Sequence, residues 1–325
     1  MVRGDLNRIL IALSLSCSAS AQWTTLESHT TAGLRGIHNA GSGVAWASGA
    51  EGTILRTTNE GQTWQRCTTP PGGEKLDFRG VQGFDRNTAV VMSSGEGALS
   101  RIYKTTDGCG SWTLLFTNPD AKGFFDAIRA SPAGGVVVGD PVDGKFAVFI
   151  AGKGATEWKR SAAEPSALPG EALFAASNSS IDLNAFVTGG RSGAALILFK
   201  KPGVRQPLPM PASESAGAFS LARHFEDWMI VGGDYKNPDD STGTAVFVHA
   251  GNVIIPRTPP HGYRSAVAWD ETSKTWIAVG PNGTDVSSDD GKNWRALLSG
   301  TGKNWNAISL PYVVGPAGRI GKLKR

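Results

Sequence analysis

A four-residue pattern recurs along the chain: a large apolar residue, a variable residue, a small residue and an aliphatic residue. The first copy runs from Leu34 to Ile37 and reads Leu-Arg-Gly-Ile, and the second runs from Phe78 to Val81. Further copies begin at Phe125, Phe174, Phe219, Tyr263 and Trp305. Each copy predicts the start of a strand. A Gly-rich hairpin follows this strand and leads into a second strand that runs back beside it. About 45 residues with four short strands are typical of one β-propeller blade, so seven copies predict seven blades.

A second pattern is a polar, Gly-containing turn that ends in Trp. It runs from Thr57 to Trp64 and from Ser287 to Trp294, with a slipped copy from Thr105 to Trp112 and a worn copy that ends at Trp158. The polar side chain in such a turn folds over its own backbone, and the Trp packs between sheets. We therefore predict structural roles for Asn59, Gly61, Trp64, Asp107, Trp112, Trp158, Asp289, Gly291 and Trp294.

The two ends of the chain complement each other. The seventh copy has room for only three strands, whereas residues 23–26 resemble the outer strands that follow Trp112 and Trp294. We therefore predict an all-β, seven-bladed β-propeller of four-stranded antiparallel blades, closed when the N-terminal strand joins the last blade. The single domain is 22–325. Its predicted blades are approximately 33–67, 77–116, 124–160, 172–205, 217–257, 262–298, and 304–325 with 22–31.

Composition agrees with an all-β domain. The 325 residues include 42 Gly and 18 Pro, and only 18% are charged, as expected for short strands and tight turns. The net charge of +4 is not gathered into a Lys/Arg run, so we predict no nucleic-acid partner. Beyond the first 21 residues, no stretch is long and apolar enough to predict a membrane span. We expect a monomer.

Residues 1–21 have the features of an export leader. Arg3 and Arg8 precede a short apolar run, and small residues lead to Ala21. We predict a signal peptide cut after Ala21 and a secreted or periplasmic protein. Cys17 leaves a lipoprotein anchor as the alternative.

The remaining cysteines and the histidines make no metal site. Cys67 and Cys109 are compatible with a disulfide in an exported protein, but their spacing does not require one. No His has metal-ligand spacing with another His or a Cys, and no phosphate-cradling loop is present. We predict no metal and no cofactor.

The two regular turns match the Asp-box (BNR) pattern Ser/Thr-x-Asp-x-Gly-x-x-Trp. Together with the Arg-Gly-Val/Ile strand starts, they make the chain resemble the photosystem II stability/assembly factor-like family of BNR propellers. Residues 139–146 and 232–235 look like a secreted bacterial branch. The resemblance covers residues 23–325 and implies protein binding or scaffolding as an assembly factor.

The predicted site is the rim where the innermost strands begin. The second residues of the seven copies form a ring there: Arg35, Arg79, Asp126, Ala175, Ser220, Arg264 and Asn306. Like charges repel in a confined site, so the three arginines need counter-charges. The hairpins offer Glu51, Glu96, Asp140 and Asp234, with Arg191 and Tyr235 beside them. Two interpretations follow: an internal ring of salt bridges, or a site where Arg forks grip an acidic group of a protein or peptide.

The alternative class is a glycoside hydrolase of sialidase-like or other BNR propeller type, acting on an acidic glycan. Sialidase chemistry needs a Tyr nucleophile and carboxylates, and Tyr235 beside Asp234 is the one reasonable candidate. The Arg-Ile-Pro signature of such enzymes is absent from the start of the chain. We assign no catalytic residue and favour a binding module.

Overall fold

A computed structural model describes residues 22–200, 203–297 and 302–324. The predicted signal peptide and Cys17 lie outside the described residues. Small β-sheets stand around a central axis as the seven blades of a propeller, so the predicted fold class is confirmed. Two single-turn 3-10 helices, Gly97–Leu99 and Lys153–Ala155, interrupt the connections.

Blades 1 to 3 are regular four-stranded antiparallel sheets. Blade 1 holds β2 (Leu34–Gly41), β3 (Val44–Gly49), β4 (Ile54–Thr57) and β5 (Gln65–Arg66). Blade 2 holds β6 (Asp77–Gly83), β7 (Ala89–Ser94), β8 (Arg101–Thr105) and β9 (Thr113–Thr117). Blade 3 holds β10 (Phe125–Ser131), β11 (Gly134–Val142), β12 (Lys145–Ala151) and β13 (Trp158–Arg160). The first strand of each blade is the innermost.

Blades 5 and 6 repeat this order. Blade 5 holds β19 (Ala216–His224), β20 (Asp227–Asp234), β21 (Ala245–His249) and β22 (Asn252–Ile254). Blade 6 holds β23 (Ala266–Asp270), β24 (Thr275–Gly280), β25 (Gly283–Ser287) and β26 (Arg295–Ala296).

Blade 7 closes the ring. It is built from β27 (Ala307–Ser309), β28 (Tyr312–Val314) and β29 (Ile320–Lys324), and its fourth strand is β1 (Gln22–Leu26). Trp23 pairs with Leu323, and the Trp23 ring lies 6.1 Å from that of Trp305. Both ends of the described chain therefore meet in one sheet, as predicted.

Blade 4 departs from the repeat. Its sheet has three strands, β15 (Ala185–Val187), β17 (Ala194–Leu198) and β18 (Arg205–Leu208), and two-residue strands β14 (Glu171–Ala172) and β16 (Gly189–Gly190) attach to blade 5. The strand predicted to start at Phe174 is wrong, because residues 173–180 form no strand.

Residues 173–180, the cross-ring segment, lie across the centre of the propeller instead. The carbonyl of Ala175 accepts from Arg79 of blade 2, at 3.2 Å, and the Asn178 Oδ1 accepts from the Ile128 amide of blade 3, at 2.8 Å. On the far side, Ser177 donates to the carbonyl of Ser265 in blade 6, at 2.8 Å. These bonds satisfy polar groups that strand pairing would otherwise satisfy, so the segment is held in place without belonging to a sheet.

The Trp-terminated turns lie at the end of the blades opposite to the end where the inner strands begin. Each turn is closed by hydrogen bonds within the turn itself. Asn59 Oδ1 accepts from the Thr63 amide at 3.0 Å, and Asp289 Oδ1 accepts from the Asn293 amide at 2.9 Å. The Trp side chains of these turns are buried. In the slipped copy, Cys109 forms a disulfide with Cys67, which ties blade 1 to blade 2.

Candidate functional site

A cavity of about 510 Å³ opens at the centre of the rim where the inner strands begin. We call it the upper cavity. It is lined by Arg35, Arg79, Phe124, Asp126, Asp140, Leu173, Phe174, Ala175, Ala176, Phe219, Tyr235, Tyr263, Ser265, Pro281, Trp305 and Asn306. The cross-ring segment contributes its floor. Six of the predicted site residues therefore meet in one cavity.

β-bulges aim the side chains of this ring. The pairing of β2 with β3 shifts between Leu34 and Gly36, and the same shift follows Phe78 in blade 2 and Phe125 in blade 3. A bulge inserts one residue that is not part of the ladder and redirects its side chain. The inserted residues are Arg35, Arg79 and Asp126, which is why they face the upper cavity while their apolar predecessors stay buried.

The basic side of the upper cavity comes from blades 1, 2 and 7. Arg79 Nε donates to Asp77 Oδ2 at 2.7 Å, so part of this guanidinium is already paired. The Arg35 guanidinium has no hydrogen bond or ion pair among the described residues, and burial together with the Arg79 charge lowers its pKa. Asn306 donates its amide to the carbonyl of Leu34 at 2.8 Å. Arg35 is therefore the cation that can take an external anion.

The acidic side comes from blade 3. Burial, and next the carboxylate of Asp140, raise the pKa of Asp126 well above its usual value. Asp126 Oδ2 is buried and has no hydrogen-bond partner among the described residues. Burial also raises the pKa of Asp140, although the Leu173 amide donates to its carboxylate at 3.1 Å. Two neighbouring carboxyls with raised pKa values favour a neutral form of at least one of them.

An aromatic wall completes the upper cavity on the side of blades 4 to 6. Phe174 stacks on Phe219 with ring centres 4.0 Å apart, and Tyr263 packs edge-on against Phe219 at 4.7 Å. Tyr235 lies against Phe174 and Phe219 and is 48% exposed at the opening. The wall offers apolar surface in the same cavity as the two arginines.

The predicted position of Arg264 at this opening is wrong. Arg264 is 1% exposed, and its Nε donates to Asp285 Oδ2 at 2.7 Å within blade 6. The repeat is offset by one residue in blades 5 and 6: the amide of Arg264 bonds to the carbonyl of Gly232, just as the amide of Leu34 bonds to that of Gly315. Arg264 therefore takes the buried position that Leu34 has in blade 1, and Ser265 takes the position of Arg35.

The same offset applies to blade 5. The bulge there lies between Ala218 and Ser220, so Phe219 faces the upper cavity. Ser220 is buried instead and accepts from the Val267 amide at 3.0 Å. By size, Phe219 and Tyr263 align with Leu34, and the spacing to the hairpin glycines Gly49, Gly232 and Gly280 varies too much along the chain to reveal the offset.

Four other predicted residues lie outside the upper cavity. Arg191 is exposed and pairs with Glu214 at 2.5 Å. Glu96 is exposed, and Glu51 borders a separate surface groove. Asp234 accepts from the Lys236 amide at 2.9 Å in its own turn. The partner of Arg79 was missed: Asp77 lies two residues earlier on β6, a spacing that puts both side chains on one face of a strand.

No helix within the described ranges is long and apolar enough to cross a membrane. Over the same residues, no three His, Cys, Asp or Glu side chains come together as metal ligands would.

By sequence, the chain matches no family model and no curated protein. By structure, it is similar to YCF48 bound to D1 peptide, with a TM-score of 0.67, 14% identity and coverage of 93% of this chain and 97% of that one. YCF48 from Cyanidioschyzon merolae gives a TM-score of 0.64 at 15% identity, covering 92% and 98%. A GH74 xyloglucanase from Xanthomonas campestris gives 0.62 at 15% identity, covering 93% of this chain and 53% of that one. Likeness at these identities establishes the propeller fold.

Proposed function

We propose that this propeller is a binding module that holds a carboxylate of a peptide or protein in the upper cavity. The observation that carries the proposal is the Arg35 guanidinium, which faces the cavity without a partner among the described residues. A guanidinium grips a carboxylate through two parallel N–H donors. Arg79 donates its Nε to Asp77 and its Nη1 to the carbonyl of Ala175, so its Nη2 is the further donor group among the described residues.

The rest of the upper cavity suits a peptide. Phe174, Phe219 and Tyr235 offer apolar and aromatic surface to a side chain next to the carboxylate. Aromatic anchors and Arg dominate the free energy of protein interfaces. Asp126 and Asp140 can orient backbone N–H groups or a cation of the ligand. The similar structure of YCF48 holds a D1 peptide, so a propeller of this architecture accommodates a peptide.

We also propose that the chain is an exported member of the BNR, or Asp-box, propellers. The self-bonded turns at Asn59, Asp107 and Asp289 support the repeat assignment. The leader-like residues before Gln22 and the disulfide between Cys67 and Cys109 support export, because disulfides persist in oxidising compartments.

The test compares peptides that end in a free carboxylate with the same peptides amidated, arrayed on a surface. We expect free-acid peptides to be retained and amidated ones to be lost. Arg35→Gln should weaken binding at least about 10-fold, which is about 1.4 kcal/mol. Arg191→Gln is the matched control, since this arginine is exposed and outside the upper cavity. Unchanged affinity in Arg35→Gln, or no retained peptide, would contradict the proposal, and equal binding of acid and amide would contradict a terminal carboxylate as the group that Arg35 holds.

A glycoside hydrolase is the second candidate, favoured by the neighbouring carboxyls Asp126 and Asp140 with raised pKa values. Glycoside hydrolysis uses one protonated and one ionised carboxyl group. The GH74 xyloglucanase is among the similar structures. Asp140→Asn would then abolish release of reducing sugar from a glycan while leaving glycan binding intact. A wild-type protein that releases no sugar from acidic or neutral glycans removes this candidate.

A further inference from the structure

A second cavity lies at the other end of the same inner strands, and we call it the lower cavity. It has a volume of about 290 Å³ and takes residues from β2, β6 and β10 with the turns that follow them. His38, Gln82 and Arg129 line it, each three residues beyond Arg35, Arg79 and Asp126 on the same strand. Three residues of strand span about 10 Å, so the lower cavity is distinct from the upper one.

Arg129 is the cation of the lower cavity. Its side chain is partly buried, and among the described residues no carboxylate oxygen lies within 4.0 Å and no acceptor bonds to its guanidinium. The opposite charge that acts on Arg129 is that of Asp182, whose Oδ1 already accepts from the Asn184 backbone at 3.0 Å. Burial lowers the pKa of Arg129 because the cation has lost water without gaining a partner. The planar fork of N–H donors is therefore available to a ligand.

His38 supplies a second donor beside it. The Gly83 amide donates to His38 Nδ1 at 3.2 Å, so the proton of the neutral ring is on Nε2. Burial, and next the Arg129 charge, lower the pKa of His38 to about 4, so the ring is neutral at pH 7. Within the part of the chain that the structure describes, the Nε2–H has no acceptor. The lower cavity thus presents one positive charge and one neutral donor.

We propose that the lower cavity binds the carboxylate of a small organic acid, gripped by the Arg129 fork and by the His38 Nε2–H. One cation balances one negative charge, whereas a dianion such as sulfate would keep an unpaired charge in a partly buried place. Phe84, Pro132 and Leu183 line the same cavity and offer apolar surface to a short aliphatic chain. The proposal does not depend on the function of the upper cavity.

The probe is sodium propionate, titrated at constant ionic strength while the His38 Nε2–H resonance is followed by ¹H–¹⁵N NMR. We expect a saturable shift in the wild-type protein and in Arg35→Gln, whose change lies in the upper cavity. In Arg129→Met, half-saturation should move at least about 10-fold higher. Sulfate should produce no saturable shift of the same resonance.

A shift that grows linearly with propionate, or that saturates equally in folded Arg129→Met, would overturn the proposal. Equal half-saturation with sulfate would overturn the preference for a monoanion. If Arg129→Met does not fold, Arg129→Lys serves instead, since Lys keeps the charge but lacks the fork. We expect weaker binding in Arg129→Lys, and wild-type binding there would contradict the role of the fork.

Discussion

At the scale of single residues, the bulge position decides which side chain meets the central cavity. Arg35, Arg79 and Asp126 face the upper cavity because each is the extra residue of a bulge. Arg264, one position away from the equivalent place, is buried against Asp285. Arg35 is thus half-buried and unpaired among the described residues, whereas Arg264 is buried and paired with Asp285, although each follows a large apolar residue in the sequence.

The raised pKa of Asp126 predicts a specific pH dependence of stability. The folded state holds a proton that the unfolded chain, with an Asp pKa of about 3.9, releases as pH rises. The free energy of unfolding should therefore fall as pH increases from about 4 to the folded pKa, by at most about 1.4 kcal/mol per pH unit for this group. Asp126→Asn should remove this contribution and leave the smaller slope that the raised pKa of Asp140 causes. Urea unfolding at several pH values measures the slope, and an identical pH dependence in both proteins would contradict the assignment.

The residue types at this rim were predictable from the repeat, but their exact membership was not. Arg35, Arg79, Asp126 and Asn306 follow from the four-residue pattern, because blades 1, 2, 3 and 7 keep one register. In blade 5, side-chain size predicts Phe219 at the buried position where the inner strand begins. The structure has Ala218 at that position. A small residue in a core position gives no hydrophobic signal, so the offset was hidden.

At the scale of elements, the cross-ring segment replaces a strand with hydrogen bonds that reach several blades. Phe174 satisfied the apolar pattern of an inner strand, yet it stacks on Phe219 in the aromatic wall. A sequence pattern reports that a residue is buried and does not say against which blade. The loss of the strand in blade 4 could not be predicted for that reason.

Asn178 tests the contribution of this segment. Its Oδ1 accepts from the buried Ile128 amide, and its own φ is 59°, which Asn and Gly tolerate well. Asn178→Gly keeps this conformation and removes the acceptor, so it should lower the free energy of unfolding by about 1–3 kcal/mol. Asn237→Gly, an exposed position, is the control and should change little. Chemical denaturation measures both, and equal stability of the two variants would show that the bond contributes nothing.

At the scale of the whole molecule, the ring is held shut by the pairing of β1 with β29. This closure was predictable because residues 23–26 carry the sequence of an outer strand. Neighbouring blades otherwise contact only each other, as in other repeat proteins. The disulfide joins blades 1 and 2, and the cross-ring segment joins blades 2, 3 and 6 through the centre.

Trp23 is the side chain on which closure depends most. It is 1% exposed and packs against Trp305. Trp23→Ala should lower the free energy of unfolding by about 3–5 kcal/mol, the usual range for a buried Trp. Thr24→Ala, an exposed neighbour on the same strand, should stay within about 0.5 kcal/mol of the wild type. Thermal or urea unfolding compares them, and a Trp23→Ala protein as stable as Thr24→Ala would show that β1 does not hold the ring.

The cross-ring segment also closes the centre of the ring, so the upper cavity is a closed pocket and not a channel through the propeller. A molecule that enters must leave by the same opening, and a polypeptide cannot be threaded from one face to the other. Under the proposed function, such a closed cavity suits a chain terminus or the tip of one long side chain better than the middle of an extended chain.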